Sequence, residues 1–175
     1  FNRDYGTSVP APGGGTFNVQ DEEVVQYDPQ NGEWQIFFAG NDCSLTSSAS
    51  QDINAIDIVG GVLYFSTVGD APVIGVAGPY DDADIYAWDG LNCIRVFDAS
   101  ANGLPIDANI DGLTYVGAST FFISFTLDAG TNVPGIGTMQ DEDVVMYDAG
   151  AWSLYFDGST QGLDASYGQD LDAID

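Results

Sequence analysis

The sequence predicts an all-β chain of three repeats, each contributing four short antiparallel strands. Three observations carry that prediction. The acidic phrase DEEVVQYD at 21–28 returns as DADIYAWD at 82–89 and as DEDVVMYD at 141–148, spacings of 61 and 59 residues. A period this regular marks repeated supersecondary units. Each copy is followed by a turn and a second apolar segment, WQIFF at 34–38, CIRVF at 93–97 and WSLYF at 152–156. Turn signals recur about every 8–12 residues with no helical periodicity between them, which argues for short strands throughout.

The elements follow in order within each repeat. The acidic phrase carries β-branched and aromatic residues suited to a pleated, half-buried strand. Its turn contains Asn31-Gly32, Asp89-Gly90 or Asp148-Ala149-Gly150, residues that tolerate the positive φ of a tight hairpin. A small polar stretch follows the second strand, marked by Gly103-Leu104 and Gly162-Leu163. Next comes a second acidic segment, DINAID at 52–57, NIDGLT at 109–114 and DLDAID at 170–175. VLYFST at 62–67 and TFFISF at 120–125 supply the closing strand, and Gly/Pro-rich loops at 8–16, 71–79 and 132–138 complete the unit.

Four strands per repeat is the make-up of a β-propeller blade, with a β-solenoid rung as the alternative. Apolar-dense strands favour blades, because inner strands are buried on both faces. Three blades do not close a ring, since propellers use about four to eight. Phe1 stands near the phase of Phe65 and Ile123, and Asp175 at the phase of Asp57. The fourth strand is therefore expected to be incomplete, shared between the termini or with a neighbouring chain. The expectation is a single repeat domain over 1–175, with phases of approximately 1–64, 65–122 and 123–175, belonging to a longer array or an oligomer.

Composition bounds the surroundings. The chain has 27 acidic residues against two basic ones, Arg3 and Arg95, with no His and a net charge of −25. Nucleic acid and anionic membrane surfaces are excluded as partners, because counter-ion release requires Lys and Arg. No apolar run reaches the length needed to insert in a membrane. Disorder is excluded by 45% hydrophobic and 13% aromatic content, ample for a core. The chain begins at Phe, so any signal peptide is expected to have been removed or to lie outside the sequence. Cys93 occupies the repeat position of Trp34 and Trp152, while Cys43 follows the second strand of its own repeat. An inter-repeat disulfide between them is one reading; two buried thiols acting as small hydrophobes is the other.

Candidate chemistry lies in the acids. Asp52-x-Asn54, Asn109-x-Asp111 and Asp170-x-Asp172 place two oxygen ligands on one face of a strand. Calcium takes about six to eight hard oxygens. Such a shell would be completed by Asp57 and by the phrase acids Asp21, Glu23, Asp82, Asp84, Asp141 and Asp143. An EF-hand is rejected, since counting from Asp107 the twelfth position is Ala118. The competing reading makes the carboxylates turn-capping residues that accept backbone hydrogen bonds. Zinc lacks ligands here, and magnesium prefers fewer protein oxygens.

Enzymatic readings find little. Without His there is no Ser-His-Asp or Cys-His arrangement. A carboxylate-pair glycoside hydrolase is the remaining option, yet the prominent acids repeat, whereas an active site uses residues that break the repeat. The core-phase aromatics Tyr27, Trp88 and Tyr147 are expected to pack between sheets. Tyr80 and Tyr167, in loops outside the repeat, are the candidates for stacking on a glycan.

The strings DEDVVMYDAGAWSLYFDGSTQGL, DLDAID and AIDIVGGVLYFST, with a VPGIG loop, resemble tandem propeller-like β-repeats of large secreted bacterial surface proteins. The resemblance covers nearly the whole chain. It implies a secreted or cell-surface, multi-repeat, calcium-binding protein and supplies no catalytic residue. The middle repeat departs from the pattern at Cys93 and at Thr114. The expected function is a non-catalytic structural or adhesive module rigidified by calcium and self-assembling by strand pairing. Its partners would be copies of itself or adjacent repeats. A calcium-dependent, lectin-like module that binds extracellular glycans is the alternative.

Overall fold

A computed structural model describes residues 7–46, 48–126, 130–163, 171 and 173–174. Among these residues every regular element is a strand or a short 3-10 turn, and every strand pairing is antiparallel. The hairpin β1 (Thr7–Pro10) and β2 (Thr16–Val19) leads into the pair β3 (Val24–Asp28) and β4 (Glu33–Phe38). The first four-stranded sheet runs β5 (Ile53–Val59), β6 (Val62–Thr67), β7 (Ile85–Trp88), β8 (Cys93–Phe97) in sequence order. The second comprises β9 (Ile110–Gly117), β10 (Thr120–Phe125), β13 (Val144–Asp148) and β14 (Ala151–Phe156). Between β10 and β13 the chain makes the small hairpin β11 (Thr131–Val133) and β12 (Gly137–Met139).

The sheets are small, of two to four strands, and among the described residues they close into neither a barrel nor a ring. Each four-stranded sheet opens on its second acidic segment, at Ile53 or Ile110, and closes on the strand after the acidic phrase. The cause is local. β5 and β6 are joined by Gly60-Gly61, both at positive φ (62° and 85°), and this tight turn forces immediate pairing of Val59 with Val62. Ala118 and Ser119 take the same left-handed conformation between β9 and β10.

Every phrase strand starts with a break in register, at Val24/Val25, Ile85/Tyr86 and Val144/Val145. A bulge there bends the strand and re-aims the acids that precede it. Alternation along β6 and β10 sends Leu63 and Phe65, and Phe121, Ile123 and Phe125, into the core. One apolar layer lies between the β3–β4 pair and the first sheet, built from Phe38, Leu45, Leu63, Phe65 and Tyr86. A second lies between the two large sheets and includes Ile85, Phe97, Ile110, Leu113 and Phe121. Full burial of a side chain of this size contributes about 1.5–3 kcal/mol.

Neighbouring units are also tied by specific contacts. Cys43 and Cys93 form a disulfide, Cα–Cα 5.7 Å, that joins the turn after β4 to the start of β8. Of the two readings open in the sequence, the bonded one is observed. Closing a loop across 50 residues of separation restricts the unfolded chain by on the order of 4 kcal/mol. One repeat later the same two positions hold Asn102 and Trp152, and there the Trp152 indole N–H donates to the Asn102 carbonyl at 3.1 Å. The Tyr147 hydroxyl meets the Asn102 side chain as well. Between the two large sheets Tyr64 of β6 stacks on Tyr115 of β9, ring centroids 4.0 Å apart.

Candidate functional site at the acidic strand entries

The acids of the phrase stand just before a bulged strand, beside the 3-10 turn that follows its partner strand. Their commonest partners are backbone N–H groups. In the third repeat Asp143 accepts from the Gln140 N–H at 2.9 Å and from the Gly158 N–H at 3.0 Å. In the second, Asp84 accepts from the Asp81 N–H at 3.2 Å and the Ala99 N–H at 2.9 Å, the same two positions. In the first, Glu23 accepts from the Gln20 N–H at 2.8 Å. A carboxylate that bridges the strand entry to the turn beyond it is a staple, built with the short acceptor side chains that favour turns.

The second repeat elaborates this staple into an ion-pair network. Asp84 is fully buried and also meets the Arg95 guanidinium at 2.9 Å and the Tyr86 hydroxyl at 3.3 Å. Arg95 reaches Asp98 at 2.7 Å and donates to the Pro79 carbonyl. Oxygens of Asp81, Asp84 and Asp98 lie within 4.8 Å of one another. Burial pushes the Asp84 carboxyl above its ordinary range, opposed by the Ala99 N–H, by Arg95 and by the Asp81 N–H. Tyr86 is pushed up too, first by burial and then by the neighbouring Asp84 charge. Three carboxylates are the beginning of a metal shell, but calcium asks for about six or more oxygens. The guanidinium already sits on two of these three. The donor set fits an arginine-centred network better than a divalent ion.

The remaining predicted residues separate into several small groups. Asp82 hydrogen-bonds Asp70, and its carboxyl is pushed up to about 6 by burial and by the nearby charges of Asp70 and Asp81. Asp141 and Glu142 are almost completely buried and hydrogen-bond one another. Burial, and then Asp141 and Asp143, push Glu142 upward. Asp21 contributes its carbonyl, which accepts the Ile53 N–H at 3.2 Å, as the Asp141 carbonyl accepts the Leu171 N–H. The two acidic signatures thus do meet, but through main chain.

On the second signature, the Asn54 amide donates to Asn109, and Asn109 donates to the Val68 carbonyl at 2.8 Å. Asp57 accepts the Tyr115 N–H at 2.7 Å, and Asp111 accepts the Ser124 hydroxyl at 2.7 Å. Asp52 is buried, its carbonyl accepting the Val68 N–H. Asp170, Asp172 and Tyr167 lie outside the described residues. Tyr80 is half-buried; its hydroxyl donates to the Val76 carbonyl at 3.0 Å and its ring lies against Gly78.

Sequence reasoning passed over Asp98, Glu22 and Glu142, and saw Arg95 only as a count. A signal was present. Arg95 replaces Ile36 and Leu154, and Asp81 replaces Gln20 and Gln140, so the cation and one acid of the cluster beside it break the repeat in the same unit. No protein-family model matches the chain, and no curated protein matches it. Among the described residues no helix is long and apolar enough to cross a membrane.

Proposed function

We propose that the protein is a non-catalytic structural module of an extracellular repeat array, in which the small sheets act as propeller-like blades and assemble through a sheet edge. The observation that carries the reading is the staple. In all three repeats the third acid of the phrase is engaged with a backbone N–H of its own turn. A catalytic carboxylate would instead be kept open to a substrate, with its proton affinity set for transfer. The disulfide is compatible with an oxidising, extracellular setting.

Calcium takes a different place in this proposal from the one expected of the sequence. With the third acid of each phrase held by N–H donors, and Asp84 also by Arg95, divalent ions serve as counter-ions to a chain of net charge −25 rather than as chelated structural ions. Thermal melts should show this directly. Sodium chloride and calcium chloride at matched ionic strength should raise the midpoint by similar amounts. A sharp loss of stability on chelation, unrepaired by sodium chloride, would sink the counter-ion reading and restore chelated calcium.

A further inference from the structure

The two large sheets each place a strand beside their phrase strand, β6 beside β7 and β10 beside β13. Among the described residues β3 pairs only with β4, so its other edge carries no strand. Beside that edge is a groove of about 450 Å³, lined by Val24 and Val25 of β3, Trp34, and Ile53 and Ile56 of β5. Asp21 and Glu23 stand at its rim.

Internal repetition shows what belongs in this groove. At the next junction β9 is covered by β5 and β6 of the preceding sheet, with Tyr64 stacked on Tyr115 and Ala55 in the shared core. There Leu113 is 1% exposed and Ile110 fully buried. The equivalent residues on β5 are Ile56, 45% exposed, and Ile53, half-buried. Ile58, the equivalent of Tyr115, is also 45% exposed. On the strand itself Tyr27 is 47% exposed where Tyr147 is 7%. The same repeat positions are thus covered at one junction and open at the other, and the difference has the footprint of one β-hairpin.

We propose that this groove binds a β-hairpin of the β5–β6 sequence type, supplied by another repeat unit, which adds to the free edge of β3. The register follows from the complete sheet, where Leu63, Tyr64 and Phe65 face Trp88, Ala87 and Tyr86. The incoming equivalents would face Tyr27, Gln26 and Val25. Strand addition of this kind takes affinity from main-chain hydrogen bonds and specificity from alternate side chains. A serine closes the match. The Ser66 hydroxyl donates to the carbonyls of Asp82 and Asp84, whose counterparts in the first repeat belong to the rim residues Asp21 and Glu23. The occupant is a repeat strand and not a glycan, because Val, Ile and Trp34 side chains make up most of the lining and, among the described residues, one whole edge of β3 is unpaired.

The proposal deepens the structural reading of the chain and rests on it. A synthetic peptide of residues 52–67 tests it on the intact protein, with a scrambled peptide and a Phe65→Asp peptide as controls. The expected result is saturable one-to-one binding that changes Trp34 fluorescence. Amides of β3 that face away from β4 should exchange more than about tenfold more slowly. Failure of the native peptide to outcompete the scrambled one, or binding that leaves the β3 amides unchanged, overturns the proposal. So does a native dimer in which those amides are already protected by pairing of β3 with β3, since the occupant is then no hairpin of the β5–β6 type. A blank peptide result beside an intact salt response would remove the hairpin while leaving the structural module standing.

Discussion

Arg95 ion-pairs with two carboxylates, and it stands where the flanking repeats carry Ile36 and Leu154. Its guanidinium is placed between buried Asp84 and half-exposed Asp98, with Asp81 beside them. Breaking a buried pair by removing one partner costs about 3–5 kcal/mol, because a charge is left in a low-dielectric site without compensation. Arg95→Leu is therefore expected to destabilise by the lower part of that range, since Asp98 remains partly solvated. Adding Asp81→Gln restores the pairing of the other repeats and should recover part of the loss. Urea denaturation of both single variants and the double variant checks this as a thermodynamic cycle. Strictly additive effects would show that Arg95 and Asp81 do not act as a unit.

Strand entry and 3-10 turn also trade volume against each other at the scale of the element. Where the second residue of the phrase is Glu22 or Glu142, the turn that packs on it begins with Gly40 or Gly158. Where that residue is Ala83, the turn has Ala99. A Cβ at Gly158 would lie 2.4 Å from Cγ of Glu142 and equally close to its carbonyl oxygen. The glycine is there for space, as its φ of −62° is ordinary helical backbone. Gly158→Ala is expected to cost about 1–3 kcal/mol by overpacking, and Glu142→Ala in the same chain should return part of it. Calorimetric midpoints of the four proteins decide the matter. A harmless Gly158→Ala would mean that the turn shifts freely. This trade was readable in the sequence only once the turn was known to sit on the strand entry, since the 15 residues of the hairpin lie between Glu142 and Gly158.

For the whole molecule the decisive quantity is charge, and its sign works against the native state at neutral pH. Asp82 titrates near 6, above its ordinary 3.8, and Glu142 and Asp84 are raised as well. Between the two values for Asp82 the native state holds more protons than the unfolded chain, so the Asp82 contribution to stability falls as pH rises and levels off above about 6, and the raised Glu142 and Asp84 act in the same direction. Asp89, held low first by the Asn92 and Leu91 N–H groups, acts in the opposite sense, but below this window. The melting midpoint should therefore be higher at pH 5.0 than at pH 7.5. Asp82→Asn should flatten that slope. A midpoint that rises with pH, or an unchanged slope in Asp82→Asn, would remove Asp82 from the account.

The sequence by itself determined the all-β class, the strands of the two acidic signatures and the tight turns, because period-two alternation and left-handed turn residues are written locally. It did not show the hairpins β1–β2 and β11–β12, which overlap the Gly/Pro-rich stretches expected to be loops. It did show the repeat, and with it the equivalences that make Cys43 match Asn102 and Cys93 match Trp152. Only the tertiary structure decided that those positions meet across a junction, which turned two thiols into a disulfide in one place and an indole–carbonyl contact in the other. The acids divide in the same way. Their recurrence was plain in one dimension, but a carboxylate reads alike whether it awaits a metal or caps a turn. What separates the two is the direction of nearby N–H groups and the reach of one arginine, and these exist only after the sheets have packed.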